Sequence, residues 1–375
     1  MNDSGMVVGV SSESRDNTLP VTPFVWRDGV FRVMDYNPHM SAWARAVDAR
    51  GTIAGPLGTS EGWTLTLWDS TGVRSQSTVL PRDSVWQTDV VKLLESGGVL
   101  IWWEPDPFKT RAAVVANGAI TWIGHLTDIT WTVPRDMNLR GQVVGRSAWS
   151  HREECHGTTD SHECVSHHPF LWDNGGMRDL GVFGRTTGCW SPTLCATGEA
   201  LAINTNGEIV GYAEDSNLVK RPFIWRDGVL TDLGVFPGKN AVARAINARG
   251  QIAGDGDDGA FLWDQGAIRM LGSLGGGYTE VTSMNEAGDI AGTSLTVTGQ
   301  QHAFIVTGGR MIDLGLFVPG ACGSMATTLN NRGDVLVAIA MPHNGECIYR
   351  LDDPRLLRFP SGRSQRTVVW HNPDR

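Results

Sequence analysis

Ala243-Arg-Ala-Ile-Asn-Ala-Arg-Gly-Gln-Ile-Ala-Gly254 and Ala44-Arg-Ala-Val-Asp-Ala-Arg-Gly-Thr-Ile-Ala-Gly55 are one phrase written twice. Related phrases end at Gly9, Gly145, Gly211 and Gly292. Each leads into a short apolar run closing in Trp: Phe24-Val-Trp26, Leu67-Trp68, Phe170-Leu-Trp172, Phe223-Ile-Trp225 and Phe261-Leu-Trp263. A turn such as Arg226-Asp-Gly228 follows, then a last run such as Leu230-Thr-Asp-Leu-Gly234. Two degenerate units, around 86–122 and 324–359, complete a series of eight repeats of roughly 47 residues.

Each unit holds four short runs rich in β-branched and aromatic residues, separated by Gly, Asn and Asp, which is the pattern of antiparallel strands. A repeated four-stranded unit of this length predicts an all-β chain, a β-propeller of four-stranded antiparallel blades. The count gives eight blades, or seven if a degenerate unit is an insertion, in one domain over 1–375 with a loop excursion at 146–168. The strands are lettered A (ending at the Asn), B (ending at the Gly), C (ending at the Trp) and D. The first unit begins at the end of strand A. Arg366-Thr-Val-Val-Trp-His-Asn372 resembles a strand A and is expected to pair with the first blade and close the ring.

Composition agrees. The chain has 46 Gly and 15 Trp in 375 residues and is 41% hydrophobic, enough to bury a large core and excluding disorder. A net charge of −9 argues against nucleic-acid binding. No stretch of ~18 uncharged apolar residues predicts a membrane span.

Ile203-Asn204-x-x-Gly207-x-Ile209-Val210-Gly211, with His302-Ala303-Phe304 and Asp313-Leu314-Gly315, resembles the bacterial HAF-repeat family over nearly the whole chain. The resemblance implies a propeller-like extracellular repeat protein and carries no catalytic residue across. Met1 opens directly on a repeat, without the charged and apolar regions of an export signal.

Strand alternation places the A–B and C–D turns at one end of a blade and the B–C and D–A loops at the other. The first set is tight, as in Asn204-Thr-Asn-Gly207 and Arg27-Asp-Gly29. The second carries the irregular segments 10–22, 36–42, 124–131, 146–168, 181–199, 293–301 and 316–325. Function is expected on that elaborated face.

Its densest stretch, 151–168, holds Cys155, Cys164, His151, His156 and His162. Imidazole and thiolate ligate zinc, but the spacing matches no zinc pattern, and a stapled hairpin or free thiols is the plainer reading. Cys189 with Cys195 and Cys322 with Cys347 complete three short-range pairs. Bridged cysteines imply a secreted or periplasmic protein. Free thiols, with Met1 as the natural start, imply the cytoplasm.

Trp43, Trp86, Trp131 and Trp190 suggest a wall for stacking on a ligand, against packing between blades as the alternative. Arg45, Arg135 and Arg244 each stand three residues before the strand-A Asn or Asp. They suit a carboxylate or phosphate, or else inter-blade ion pairs, for example with Asp136. His39, His125, Tyr278 and Glu280 are the acid–base candidates. Asp255-Gly-Asp257-Asp258-Gly259 offers oxygens for a structural Ca²⁺ but lacks the full loop pattern, so no cofactor is expected.

These features lead to the expectation of a monomeric enzyme of the lyase, isomerase or cyclase type. It would act on a small molecule or carbohydrate at the mouth of the propeller channel. The alternative is a non-catalytic propeller that binds a glycan, another ligand or a protein.

Overall fold

The computed structural model describes residues 1–11, 22–36, 41–59, 62–81, 87–106, 109–128, 131–149, 166–186, 195–234, 239–317, 319–340, 342 and 366–370. Among them every regular element is a β-strand, and no helix is long and apolar enough to cross a membrane. The strands form eight sheets, six of four strands and two of three. Eight blades, not seven, is therefore the count, and the fold is a β-propeller.

Blade 1 is Val7–Ser11, Thr22–Arg27 and Val30–Val33, and blade 2 is Ala46–Val47, Ile53–Thr59, Gly62–Trp68 and Arg74–Val79. Blade 3 is Gln87–Leu93, Val99–Asp106, Lys109–Ala116 and Ala119–Ile123, so the first degenerate unit is a full blade. Blade 4 is Thr132–Met137, Val143–Trp149, Ser166–Asp173 and Gly176–Asp179. Blade 5 is Gly198–Ile203, Ile209–Glu214, Lys220–Arg226 and Val229–Asp232. Blade 6 is Ala241–Ile246, Ile252–Gly256, Gly259–Asp264 and Ala267–Gly272. Blade 7 is Gly275–Met284, Ile290–Thr296, Gln301–Thr307 and Arg310–Gly315, and blade 8 is Gly323–Leu329, Val335–Ala340 and Arg366–Trp370.

The last strand corrects the sequence reading. Arg366–Trp370 pairs with Val335–Ala340 of blade 8 and takes the strand-C position there, instead of strand A of the first blade. Its register explains why. Trp370 faces Val335 as Trp225 faces Ile209, Trp263 faces Ile252 and Trp26 faces Val7. Trp370 is the Trp that closes a strand C, and Asn372 beyond it misled the reading.

The chain divides into two compact units. One spans Met1–Ser60, Thr64–Ser77 and Leu271–Arg375 and the other Glu61–Trp63 and Thr78–Met270. In the second, the core lies between successive blades. Leu100, Trp102, Met137, Val143 and Phe170 join blades 3 and 4, and Val144, Leu171, Ile209, Phe223 and Trp225 join blades 4 and 5. Both faces of strands B and C are covered by neighbours, which is why they read as nearly continuous apolar runs. The first unit packs alike, with Met6, Val25, Ile53 and Trp68 between blades 1 and 2, and Ala291, Ile305, Val335 and Val337 between blades 7 and 8.

Each residue of the repeat phrase has a physical task. The turn Asn is buried. Asn204 Oδ1 accepts the N–H groups of Asn206 and Glu208, both at 3.0 Å, and its Nδ2 donates to Glu208 Oε2 at 2.6 Å and to Asn247 O at 3.0 Å. The last bond reaches the turn Asn of the next blade. Asn138 donates to Asn204 O at 3.1 Å in the same way, and in the other unit Asn285 donates to Asn330 O at 3.2 Å. Asn330 in turn donates to Asn2 O at 3.2 Å and Asn2 to Asp48 O at 2.8 Å, so the N-terminal Asn serves as the turn residue of blade 1.

The strand-B Gly answers a bulge in strand A. Register slips by one residue at Arg135, Leu201, Arg244 and Thr282. A Cβ on Gly145, Gly211, Gly254 or Gly292 would meet the opposite strand-A carbonyl at 1.9–2.3 Å, so no larger residue fits. The strand-C Phe packs on that Gly, and Phe170, Phe223, Phe261 and Phe304 are all fully buried. C–D hairpins such as Asp227-Gly228 have both central residues at positive φ, 52° and 88°, as a type I′ turn requires.

Candidate functional site

The Asp of the Asp-Leu-Gly phrase holds the start of strand C. Asp179 Oδ2 lies 2.9 Å from His168 Nδ1 and Asp313 Oδ1 lies 2.9 Å from His302 Nδ1, while Arg221 Nε donates to Asp232 Oδ2 at 3.0 Å. A His–Asp pair is the orienting half of a hydrolytic triad. Here, however, Arg replaces His in blade 5, and Nε2 of both His168 and His302 is buried without a hydrogen-bond partner among the described residues. Among the described residues neither imidazole contacts a serine through Nε2, and these pairs belong to the repeat.

His125 is likewise held by repeat chemistry. Its Nδ1 is 2.8 Å from Thr132 Oγ1, which is 2.9 Å from Ser147 Oγ, and Ser147 Oγ accepts the Leu126 N–H at 3.1 Å. Thr279, Ser294 and Leu274 repeat the arrangement in blade 7. Burial and the nearby Arg111 charge lower the His125 pKa, so it is neutral at pH 7. Tyr278 donates to Glu280 Oε2 at 2.7 Å. His39 lies outside the described residues, as do Trp86, Trp190, His151, His156, His162, Cys155, Cys164, Cys189 and Cys347. Cys195 and Cys322 are disulfide-bonded, and the partners expected for them, Cys189 and Cys347, are among the residues outside the described set.

Of the three arginines, Arg135 and Arg244 stand at the strand-A bulge, which re-aims a side chain. Both are ion-paired. Arg244 grips Asp255 with Nε and Nη2, at 2.9 and 3.2 Å, within its own blade. Arg45 donates its backbone N–H to Ala54 O at 3.0 Å. Arg135 bonds Glu199 of the next blade, while Asp136, the partner first suggested, takes Lys92 Nζ at 2.7 Å. The acidic loop is engaged too: Asp258 by Lys239 at 2.6 Å and Asp257 by the Asn240 N–H at 3.0 Å. Among the described residues no three metal-ligating side chains gather.

Arg135 opens onto a cluster of charged and aromatic side chains outside the repeat phrase. It lies at the elaborated end of blades 4 and 5. Arg146, from strand B of blade 4, points Nε at the same Glu199 oxygen from 3.6 Å and makes no hydrogen bond with it. The Glu199 side chain is only 6% exposed, so two guanidiniums share one buried carboxylate. Arg146 also covers the Trp131 ring, with Cζ 4.9 Å from its centroid, a cation–π contact. Trp131 meets His167 at 4.5 Å, and Trp149 stacks on His168 at 4.7 Å with an interplanar angle of 6°. Tyr212 faces Glu199 across the blade 5 register, with Lys220 Nζ 4.7 Å from its ring.

The electrostatics follow from burial. His167 is pushed down to about 4, first by desolvation and then by Arg146, so it is uncharged at pH 7. Tyr212 is pushed up to about 12, first by desolvation and then by Glu199, so its hydroxyl keeps its proton. The cluster therefore presents guanidinium cations and aromatic faces beside an uncharged His167 and a protonated Tyr212. Sequence reading found Trp131 and Arg135, and missed Arg146, Glu199, His167 and Tyr212. Their residue types at these positions are not part of the repeat phrase, and the blade interface unites them.

No family model matches the chain, and no curated protein matches it in sequence. Solved structures match its fold. The β-propeller domain of the Trilobed protease from Pyrococcus furiosus, described as an open velcro, aligns with a TM-score of 0.52 and 14% identity over 84% of this chain and 96% of that one. Pyrococcus horikoshii acylaminoacyl peptidase aligns at 0.51 with 13% identity over 92% of this chain and 57% of its own. A structure from an analysis of two prolyl endopeptidases aligns at 0.54 with 11% identity over 90% and 53%. The chain thus spans little more than half the length of those two peptidases.

These likenesses establish the propeller class. They also overturn the expected lyase, isomerase or cyclase: the three solved structures just described are a protease propeller domain and two peptidases. The proposed acid–base residues give it no support, since His125, Tyr278 and Glu280 are engaged by local partners.

Proposed function

We propose that this chain is a peptidase-associated propeller, a module that recognises polypeptide and works with hydrolytic groups. The match of 84–92% of its length to propeller-bearing peptidases carries this reading. The partially open aromatic and cationic cluster at the elaborated end of blades 4 and 5 supports it, because extended peptides are held by aromatic stacking and by ion pairs to their charged groups. We also read the repeat as of the HAF type, on Asn204, Gly207, Gly211 and the His302-Ala303-Phe304 phrase.

The test is fluorescence anisotropy of the full chain with labelled unstructured peptides, beside a labelled oligosaccharide of similar size. Saturable peptide binding without oligosaccharide binding is expected. Oligosaccharide binding alone, or no binding to either at millimolar concentration, would refute the reading.

A further inference from the structure

Two guanidiniums converge on a single carboxylate oxygen, Glu199 Oε1, at the blade 4–blade 5 interface. Arg135 occupies that oxygen. Arg146 is left 3.6 Å away with a buried Nε that finds no acceptor among the described residues. A buried donor without an acceptor is costly, and a guanidinium fork is shaped for a planar, two-oxygen anion. The two Arg side chains remain 18% and 26% exposed, so the cluster is not sealed from solvent. Beside them stand Trp131 and Tyr212, the latter with its proton retained as a neutral donor. Glu214, from strand B of blade 5, accepts the Thr197 N–H on its Oε2 at 2.9 Å.

We propose that Arg146, with Arg135, is the receptor for a carboxylate carried on an apolar or aromatic body that packs against Trp131. The ligand carboxylate supplies the acceptor that Arg146 Nε lacks among the described residues, and Glu199 holds Arg135 in place and limits the net positive charge of the site. A carboxylate meets the planar fork edge to edge, giving two parallel N–H···O bonds. This deepens the polypeptide reading and rests on it for the source of the carboxylate: the C-terminus of a peptide or an acidic side chain.

The experiment is isothermal titration of the full chain with benzoate and benzamide. It is repeated with a neutral Ala/Phe hexapeptide bearing a free C-terminus, with its C-terminal amide, and with the amide carrying one Glu. Benzoate is expected to bind and benzamide not to bind. Arg146→Gln should weaken benzoate roughly tenfold to hundredfold, the usual worth of a charge-assisted hydrogen bond. Arg32→Gln, an exposed position in blade 1, should change nothing. Glu199→Gln should tighten binding by freeing Arg135.

Binding of the free-acid peptide but not its amide supports the proposal and names the C-terminus; rescue of the amide by one Glu supports it and names an acidic side chain. Benzoate binding without peptide binding upholds the carboxylate site and defeats the polypeptide reading. Equal affinity for benzoate and benzamide, or for peptide acid and amide, overturns the carboxylate site while leaving peptide recognition standing. If Arg146→Gln does not fold, the acid-against-amide comparison on the unaltered chain still decides.

Discussion

Replacing Asn204 with Ala tests the interlocking of the blades. Four hydrogen bonds disappear: those from the N–H groups of Asn206 and Glu208, and those to Glu208 Oε2 and Asn247 O. At about 1 kcal/mol net for each bond, the loss is roughly 4 kcal/mol. The carbonyl of Asn247 and two turn N–H groups are left to find water. Urea unfolding followed by Trp fluorescence gives the global effect. A chain of repeats need not unfold in one step, so amide exchange is the sharper readout. Faster exchange is expected at Asn206 and Glu208, extending to the turn at Asn247. Asn204→Asp keeps both acceptor bonds but turns a carboxylate toward Glu208. Blade 2 carries Asp48 at the same position with Thr52 where blade 5 has Glu208. Asn204→Asp should therefore be rescued in part by Glu208→Thr. An Asn204→Ala variant within about 1 kcal/mol of the parent, with unchanged exchange at these amides, would refute the reasoning.

Three further outcomes follow. Gly211→Ala places a Cβ 1.9 Å from Glu199 O, forces strand A of blade 5 to move, and should cost about 3 kcal/mol or prevent folding, read from the urea midpoint. Removal of residues 366–375 should speed amide exchange at Val335–Ala340; acceleration confined to Val7–Ser11 would mean that the strand belongs to blade 1 after all. His167, with a pKa near 4 when folded and 6.5 as its unperturbed value, binds its proton more readily in the unfolded chain. Its contribution to stability is thus present above pH 6.5 and lost as pH falls from there toward 4, by up to about 3 kcal/mol. An NMR titration of His167 with a midpoint near 6.5 would contradict this.

The fold was legible because the repeat phrase is made of residues with no substitute. Only Gly tolerates the strand-A carbonyl at Gly211, and Asn204 supplies both acceptors for its turn and a donor for the next blade. The C-terminal strand was misplaced because Asn372 was read ahead of Trp370, although the Trp register defines strand C in every blade where it pairs with strand B. The site was legible only where it touches the repeat, at Arg135 beside the bulge and at Trp131 before strand A. Glu199 stands 64 residues from Arg135, and nothing in a linear reading marks it as the carboxylate that two blades share. His125 misled for the opposite reason: its loop looked irregular, but its partners Thr132 and Ser147 recur as Thr279 and Ser294.

The central claim is that polypeptide is recognised at the elaborated end of blades 4 and 5. A peptide carrying a photoreactive phenylalanine beside a free C-terminus, cross-linked to the full chain and mapped by mass spectrometry, tests it directly. The account predicts cross-links concentrated at Trp131, Trp149, His167 and Tyr212, and lost in excess benzoate. Cross-links confined to the A–B and C–D turns or to the exposed D strands, such as Val30–Val33, would contradict it.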